Sequence, residues 1–243
     1  MIPILLTGKR QSGKIHAIIV KMKTLVIIPA FNEEENIEKV VENIKSFGYD
    51  YIVINDHSTD STEAILDEKG YSHLDLCVNV GLAGVTRVGF KYAHDNGYDC
   101  VINIDGDGQH PADQIDSLVK EIENGFDYVV GSRFVNEKKP LTARMLGSRL
   151  LCLLIKIKTG KTVSDPTSGM RALGEKVIAD FSQNMNYWAE PDALCHILKR
   201  GYKVKEVQVT MLDRQGGQSY FVSPLKSIKY MVAEILSILF VQW

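Results

Sequence analysis

The sequence predicts an α/β fold in which helices flank a mostly parallel, Rossmann-like sheet. Strand-like and helix-like segments alternate between Thr24 and Arg133, an order that is typical of doubly wound sheets. Polar clusters follow the strand-like runs directly, and such sheets bind ligands beyond the carboxyl ends of their strands. The 243 residues are 45% hydrophobic and 24% charged, which is an ordinary globular composition.

Each predicted element rests on the period of its apolar residues. Short apolar runs predict five strands, at Thr24–Ala30, Tyr51–Asn55, Leu74–Val78, Cys100–Ile104 and Phe126–Val130. Segments with a helical period predict the four helices between them, at Glu34–Ser46, Thr59–Lys69, Ala83–Asn96 and Pro111–Glu123. The pattern then predicts a helix, a loop, a second helix and a strand, at Leu141–Ile157, Val163–Arg171, Ala189–Lys199 and Lys203–Leu212.

The two ends of the chain are predicted to lie outside the core domain, which spans residues 23–222. Residues 1–22 are predicted to be a leader. Gly8 to Lys14 has the spacing of a phosphate-binding loop, but Ile15 stands where that loop needs Ser or Thr for magnesium. Residues 223–243 carry a broad apolar stripe, which predicts an amphipathic C-terminal helix. This helix could pack on the domain, lie in a membrane interface, or pair with a second copy or a membrane-protein partner.

Composition excludes several classes of protein. The 28 Lys and Arg against 30 Asp and Glu give a net charge of −2, so no basic excess points to nucleic acid. The four cysteines lie far apart without metal-binding spacing, and we expect reduced thiols in the cytoplasm. No apolar run approaches the roughly 18 residues of a membrane-spanning helix.

The strongest chemical signal follows the fourth predicted strand. Asp105 and Asp107 stand two residues apart, and with the carbonyl oxygen of Gln109 they offer hard oxygen ligands suited to Mg²⁺ or Mn²⁺. Such an ion can bridge two phosphates and neutralise charge on a leaving group. Asp56, after the second strand, can accept hydrogen bonds from a base or a ribose hydroxyl. A polar surface turn is the simpler interpretation of the Asp105 motif alone. For the Asp56 motif the simpler interpretation is a helix cap by Ser58 or Asp60.

Taken in order, the motifs resemble those of family 2 glycosyltransferases with the GT-A fold. The motifs are PAFNE at 29–33, NDHSTD at 55–60, NVG at 79–81, DGDGQHP at 105–111 and VGSR at 130–133. Two later motifs, DPTSGMR at 165–171 and RQGGQS at 214–219, are similar to those of the polyprenyl-phosphate branch, which includes dolichol-phosphate mannose synthase. One departure is His57, which stands where the family usually has glycine.

The resemblance implies a role for each candidate residue. The nucleoside of a nucleotide-sugar would be held by Pro29, Phe31, Glu33 and Asp56. The metal and diphosphate would be held by Asp105, Asp107 and Gln109, and the acceptor phosphate by Arg133, Arg144 and Ser148. Arg214 would close over the donor from a mobile loop that Gly216 and Gly217 make flexible.

These roles predict a metal-dependent, inverting transfer of a hexose from a UDP- or GDP-sugar to undecaprenyl or dolichyl phosphate in cell-envelope glycan synthesis. We expect the enzyme on the cytoplasmic membrane face as a peripheral protein.

An alternative is transfer to a polysaccharide hydroxyl, which needs a catalytic base. Glu190 or Asp192 lies where related enzymes place that base. A non-catalytic binder of sugar nucleotides is a further alternative. A sugar-1-phosphate nucleotidyltransferase would need a glycine-rich loop after the first strand, which PAFNE is not.

Overall fold

The computed structural model describes residues 22–184, 190–212 and 224–241. The predicted leader and its phosphate-loop-like segment therefore lie outside the described residues, apart from Met22. The strands are β1 (Thr24–Ala30), β2 (Asp50–Asn55), β3 (His73–Asp75), β4 (Cys100–Asn103), β5 (Tyr128–Ser132), β6 (Arg171–Gly174) and β7 (Val204–Gln208). The α-helices are α1 (Ile37–Ser46), α2 (Thr62–Glu68), α3 (Gly81–Asp95), α4 (Ile115–Glu123), α5 (Ala143–Thr159), α6 (Glu175–Asn184), α7 (Pro191–Lys199) and α8 (Pro224–Leu236).

The described strands form one seven-stranded sheet in the order β3-β2-β1-β4-β6-β5-β7. The β1–β2, β2–β3, β1–β4 and β5–β7 pairs are parallel, which confirms the predicted mostly parallel sheet. Strand β6 runs antiparallel between β4 and β5. The sequence pattern predicted a loop through Arg171 and no element over residues 172–184, so β6 and α6 are corrections. Four residues that include an arginine and a glycine carry little strand signal, and the strand exists because two neighbours pair with it.

The sheet is covered on both faces, as its continuous apolar strands require. Side chains of β1 alternate between the two resulting cores: Leu25 and Ile27 face one core, and Val26 and Ile28 face the other. The first core is completed from α3, α5, α6 and α7, and the second from α1, α2 and α4. A rigid support of this kind fixes the loops at the carboxyl ends of β1, β2, β4 and β5.

The predicted C-terminal helix is present as α8, which continues into a short π-helical segment, Ser237–Val241. One side of this segment packs on the domain, where Ser237 donates to Asp192 Oδ2 at 2.7 Å and Lys158 donates to the Leu239 carbonyl at 2.7 Å. None of the helices in the described part of the chain combines the length and apolar character that crossing a membrane requires. All four cysteines are free thiols.

Candidate metal and phosphate site

The acidic turn after β4 forms the centre of the site. Asp105, Asp107 and His110 each offer one ligand atom, and these atoms lie within 4.8 Å of one another. The turn is tight because Gly108 adopts a φ of 76°, a conformation that glycine reaches without strain. The two predicted carboxylates therefore converge, and the structure adds His110, which the sequence pattern did not single out as a ligand.

His110 is a buried histidine whose two ring nitrogens have no hydrogen-bond partner among the described residues. Its Nδ1 lies 4.0 Å from Asp105 Oδ2. Burial lowers the pKa of His110 to about 4, so the imidazole is neutral near pH 7 and its nitrogens can bind a metal. A buried polar ring without a partner is costly, and a cation beside the two carboxylates would satisfy it. The two carboxylates suit Mg²⁺ or Mn²⁺, and the imidazole nitrogen is a ligand that a transition metal such as Mn²⁺ accepts more readily than Mg²⁺ does.

Two glycines allow the acidic turn to sit close to its neighbours. A Cβ at Gly169 would lie 2.3 Å from Asp105 Oδ2, so the loop before β6 packs directly on that carboxylate. A Cβ at Gly106 would lie 2.8 Å from the Pro29 carbonyl oxygen at the end of β1. Both close approaches bring together segments that are distant in sequence, and together they position the acidic turn.

Gln109 connects the acidic turn to the segment that leads to Arg214. Its carbonyl oxygen accepts a hydrogen bond from the Leu212 N–H at 2.9 Å, and its side-chain amide donates to the Leu212 carbonyl at 3.2 Å. One lone pair of the carbonyl is therefore committed, and the role of Gln109 as a metal ligand stays a prediction. Arg214 and the glycines of its loop lie outside the described residues.

The predicted nucleoside residues lie at the ends of β1 and β2, beside the acidic turn. Phe31 is 48% exposed, which leaves its ring open to a ligand. The Glu33 carboxylate accepts from the Asn36 amide at 2.9 Å. Asp56 is buried, and its two carboxylate oxygens accept the N–H groups of Val80 and Gly81 at 2.7 and 2.9 Å.

Asp56 therefore holds the start of α3 in place. The helix cap expected from the sequence was by Ser58 or Asp60, and at the start of α2 the Asp60 carboxylate accepts the Thr62 N–H at 3.0 Å. The predicted contact of Asp56 with a nucleoside stays a prediction. The next residue, His57, has a φ of 59°, in the left-handed region that glycine adopts most easily. This backbone conformation explains why a glycine is usual at the position of His57 in the resembling family.

The three predicted acceptor-phosphate residues differ in their surroundings. Arg133 donates from Nε and Nη2 to the two carboxylate oxygens of Asp165 at 2.7 and 2.8 Å, so its charge is already neutralised. Ser148 is buried on α5, and its hydroxyl accepts from Lys139 Nζ at 2.8 Å. Arg144 is exposed on the first turn of the same helix.

The two predicted bases also differ. Glu190 accepts a hydrogen bond from the Tyr230 hydroxyl of α8 at 3.0 Å. Burial raises the pKa of Glu190 above its usual value; the charge of Arg171 opposes this effect, and that of Asp105 adds to it. Asp192 is fully buried and bound to Ser237. Of the two, only Glu190 is partly exposed, so Glu190 is the better candidate for a base.

Comparisons with known proteins show the family to which the chain belongs. The sequence model of the family described as Glycosyl transferase family 2 matches residues 25–181. A UDP-N-acetylglucosamine–dolichyl-phosphate N-acetylglucosaminyltransferase of Methanococcus voltae is 32% identical over 210 residues, which cover 76% of this chain and 83% of that protein. A polyprenol monophosphomannose synthase of Mycolicibacterium smegmatis is 27% identical over 228 residues, covering 87% of this chain and 86% of its own length.

Solved structures show the same fold at low sequence identity. Glucosyl-3-phosphoglycerate synthase of Mycobacterium tuberculosis, solved with Mn²⁺, UDP-glucose and phosphoglyceric acid, aligns with a TM-score of 0.65 at 18% identity. The alignment covers 90% of this chain and 80% of that one. The fold and the family match together define a glycosyltransferase. The chain belongs to glycosyl transferase family 2, and its relatives confirm the resemblance to the polyprenyl-phosphate branch.

Proposed function

We propose that the protein transfers a hexose from a nucleotide-sugar to a polyprenyl phosphate, undecaprenyl or dolichyl, with inversion and with Mg²⁺ or Mn²⁺. The observation that carries this proposal is the cluster of Asp105, Asp107 and His110 at the edge of the sheet. Relatives that match most of the chain are named for transfer to dolichyl phosphate or for synthesis of polyprenol monophosphomannose, which supports the acceptor class. Cell-envelope glycan synthesis is the process that such a product would serve.

The chemistry of a phosphate acceptor matches the groups in this site. The second pKa of a phosphate monoester is about 6, so near neutral pH the acceptor is largely a dianion and needs no base. It needs positioning and partial neutralisation. Ser148 and Arg133, whose charge Asp165 already balances, would supply hydrogen bonds, and Arg144 would supply positive charge. Asp105, Asp107 and His110 would hold the divalent ion, which supplies charge neutralisation for the departing nucleoside diphosphate. Direct attack on the anomeric carbon inverts its configuration.

The donor base stays open between uracil and guanine, with uracil favoured. A screen of UDP- and GDP-sugars for thermal stabilisation, with and without Mn²⁺, tests the donor and the metal together. We expect a rise in the unfolding temperature for one nucleotide class, larger when the metal is present. Mass spectrometry of the products formed with polyprenyl phosphate then tests the transfer itself. Absence of a glycosylated lipid phosphate with every stabilising donor would refute the proposal.

Transfer to a polysaccharide hydroxyl is the second candidate, and Glu190 is the observation that favours it. Burial raises the pKa of Glu190 above the usual value of a carboxyl, the charge of Asp105 adds to the rise, and a higher pKa makes the carboxylate a stronger base. The variant Glu190→Gln separates the two acceptors. A phosphate acceptor should leave much of the turnover intact, whereas a hydroxyl acceptor should lose several orders of magnitude. A non-catalytic binder would show donor-induced stabilisation but no product with either acceptor.

We further propose that the enzyme lies on the cytoplasmic membrane face as a peripheral protein. Exposed apolar side chains form one stripe on α5 and another on α8 and the π-helical segment that follows it. We call these two stripes the apolar face: Leu146, Leu150, Leu153 and Ile157, with Ile228, Val232, Leu236 and Phe240. The two helices are in contact, since a Cβ at Gly147 would lie 3.2 Å from Met231 Cε. Apolar stripes that remain exposed after packing suit a lipid interface.

Solubility of the full chain compared with a truncation at Ser223 tests this surface. We expect the full chain to need detergent more than the truncated chain does. The membrane proposal would be contradicted if the full chain is monomeric, stays in solution without detergent and does not bind vesicles. A second copy that covers the apolar face would instead show as a stable dimer in solution.

A further inference from the structure

Lys139 lies in the loop between β5 and α5, and its ammonium group has an unusual environment. Nζ donates to Ser148 Oγ at 2.8 Å and approaches Cys152 Sγ at 3.3 Å. Both partners are neutral, and Ser148 is buried. The side chain thus turns inward against α5, whereas the adjacent Lys138 is exposed.

The charge of Lys139 has no carboxylate partner among the described residues. The acidic groups of this region are committed elsewhere. Asp165 pairs with Arg133, and the oxygens of Glu206 accept the N–H groups of Ser164 and Asp165 at 2.7 to 2.9 Å. Placing an ammonium group in a half-buried position without a counter-ion costs free energy, and a bound anion would offset that cost.

The backbone around Lys139 is held firmly. Arg149 donates from Nη2 to the Lys139 carbonyl at 2.7 Å and from Nη1 to the Pro140 carbonyl at 3.3 Å. Thr142 caps α5 by accepting the Met145 N–H at 3.3 Å. Because the loop is fixed to the helix at both points, the ammonium group is oriented in advance, which lowers the entropic cost of binding a ligand.

The position of Lys139 links it to the predicted acceptor site. Its Nζ lies 5.4 Å from the centre of the Phe134 ring, and the Arg133 guanidinium lies 5.3 Å from the same centre. Its hydrogen-bond partner Ser148 is itself a predicted acceptor residue. Arg133 is already neutralised by Asp165, so Lys139 adds positive charge for a phosphate dianion in addition to that of Arg144.

We propose that Lys139 binds the phosphate of the polyprenyl-phosphate acceptor together with Ser148. This inference rests on the proposed function, because that function supplies the acceptor. In the bound state the phosphate takes hydrogen bonds from the ammonium and hydroxyl groups that now contact each other. The lysine is a binding residue for the acceptor and has no part in holding the nucleotide-sugar.

The test uses the full chain, farnesyl phosphate as acceptor, and the variants Lys139→Met, Lys139→Arg and Lys138→Met. Methionine keeps the apolar stem of the side chain, and Lys138→Met removes the same charge from the adjacent, exposed position. For Lys139→Met we expect the KM for farnesyl phosphate to rise at least about tenfold, the size of a charge-assisted contact. The KM for the nucleotide-sugar should stay within about twofold, and Lys139→Arg should recover most of the affinity.

Calorimetric binding of farnesyl phosphate, inorganic phosphate and farnesol gives a readout that does not require turnover. The wild type should bind farnesyl phosphate most tightly, and Lys139→Met should weaken the two phosphates but leave farnesol unchanged. Equal affinity of the wild type and Lys139→Met for farnesyl phosphate would overturn the inference. A loss of affinity in Lys138→Met as large as that in Lys139→Met would also overturn it. Equal affinity of the wild type for inorganic and farnesyl phosphate would overturn the lipid assignment. A purely structural lysine would lower the unfolding temperature and kcat with no selective rise in the acceptor KM.

The design also separates this inference from the proposed function. If no lipid phosphate receives a sugar but Lys139→Met still weakens farnesyl phosphate binding, the proposed function fails and the phosphate site stands. If transfer proceeds with an unchanged acceptor KM in Lys139→Met, the proposed function stands and the role of Lys139 is refuted.

Discussion

Gly169 offers a sharp test of whether Asp105 holds the metal. An alanine Cβ at Gly169 would lie 2.3 Å from Asp105 Oδ2 and 2.9 Å from its Cγ, and contacts under 3.0 Å are essentially never seen. The φ of Gly169 lies outside the left-handed region, so alanine adds no backbone strain there. In the variant Gly169→Ala the carboxylate must therefore move by about 1 Å, a displacement large enough to disturb catalysis.

The size of this displacement sets the expected loss. Metal ligands keep their distances within roughly 0.2 Å, and a misplacement of about 1 Å can reduce a catalytic rate about 100-fold. We expect kcat/KM to fall about 100-fold and the affinity for Mn²⁺ to fall at least about tenfold. Asp105 is partly exposed and can rotate, so the metal-free protein should lose only about 1 kcal/mol of unfolding free energy.

The assay combines sugar transfer, calorimetric titration with Mn²⁺, and urea unfolding without metal. Gly174→Ala is the matched control, because a Cβ there would make an ordinary contact of 3.4 Å with Ile122. That control should keep wild-type transfer and Mn²⁺ affinity. Wild-type activity and Mn²⁺ affinity in Gly169→Ala would show that Asp105 does not hold the metal, and the proposed site would need another centre.

Three further predictions concern the metal, a buried acid and the apolar face. Asp107→Asn should lose most transfer activity, as should EDTA treatment of the wild type; full activity without divalent ions would contradict the metal site. Glu234 is fully buried, and burial raises its pKa to about 9, so the folded protein holds a proton that the unfolded chain releases. Unfolding free energy should therefore fall by up to about 1.4 kcal/mol per pH unit between about pH 5 and pH 9. Glu234→Gln should flatten this slope in urea unfolding at about pH 6 and pH 8, and an unchanged slope would disprove the assignment. Leu153→Glu should weaken binding to anionic vesicles about tenfold in sedimentation, whereas Phe47→Glu, at an exposed position outside the apolar face, should not.

The buried acid also shows how closely α8 is tied to the site. The inner side of α8 carries Tyr230, which hydrogen-bonds to Glu190, and Glu234, which lies beside Asp192. The outer side of the same helix belongs to the apolar face. Helix α8 therefore contributes to the candidate membrane surface on one side and contacts residues near the candidate metal site on the other.

Sequence patterns predicted best those elements whose signal is local. Strand β1 has the predicted bounds, Thr24–Ala30. A short, continuous run of branched apolar residues is typical of a strand that is buried on both faces of a sheet. Strand β6 could not be predicted in this way. Its pairing with β4 and β5 joins Arg171 to Asn103 and Val130, so its conformation is set by neighbours distant in sequence.

The candidate site also has features that the local sequence predicts and features that depend on tertiary contacts. The sequence by itself determined that Asp105 and Asp107 follow a buried strand and share one turn. Their separation by two residues, with a glycine between them, is a property of the local sequence. Only the tertiary structure decided that His110 faces them without a partner, that Asp165 neutralises Arg133, and that Lys139 points at Ser148. Local periodicity specifies which residues end a strand, but the charge balance of a site depends on which distant side chains the packed sheet brings within a few ångströms of one another.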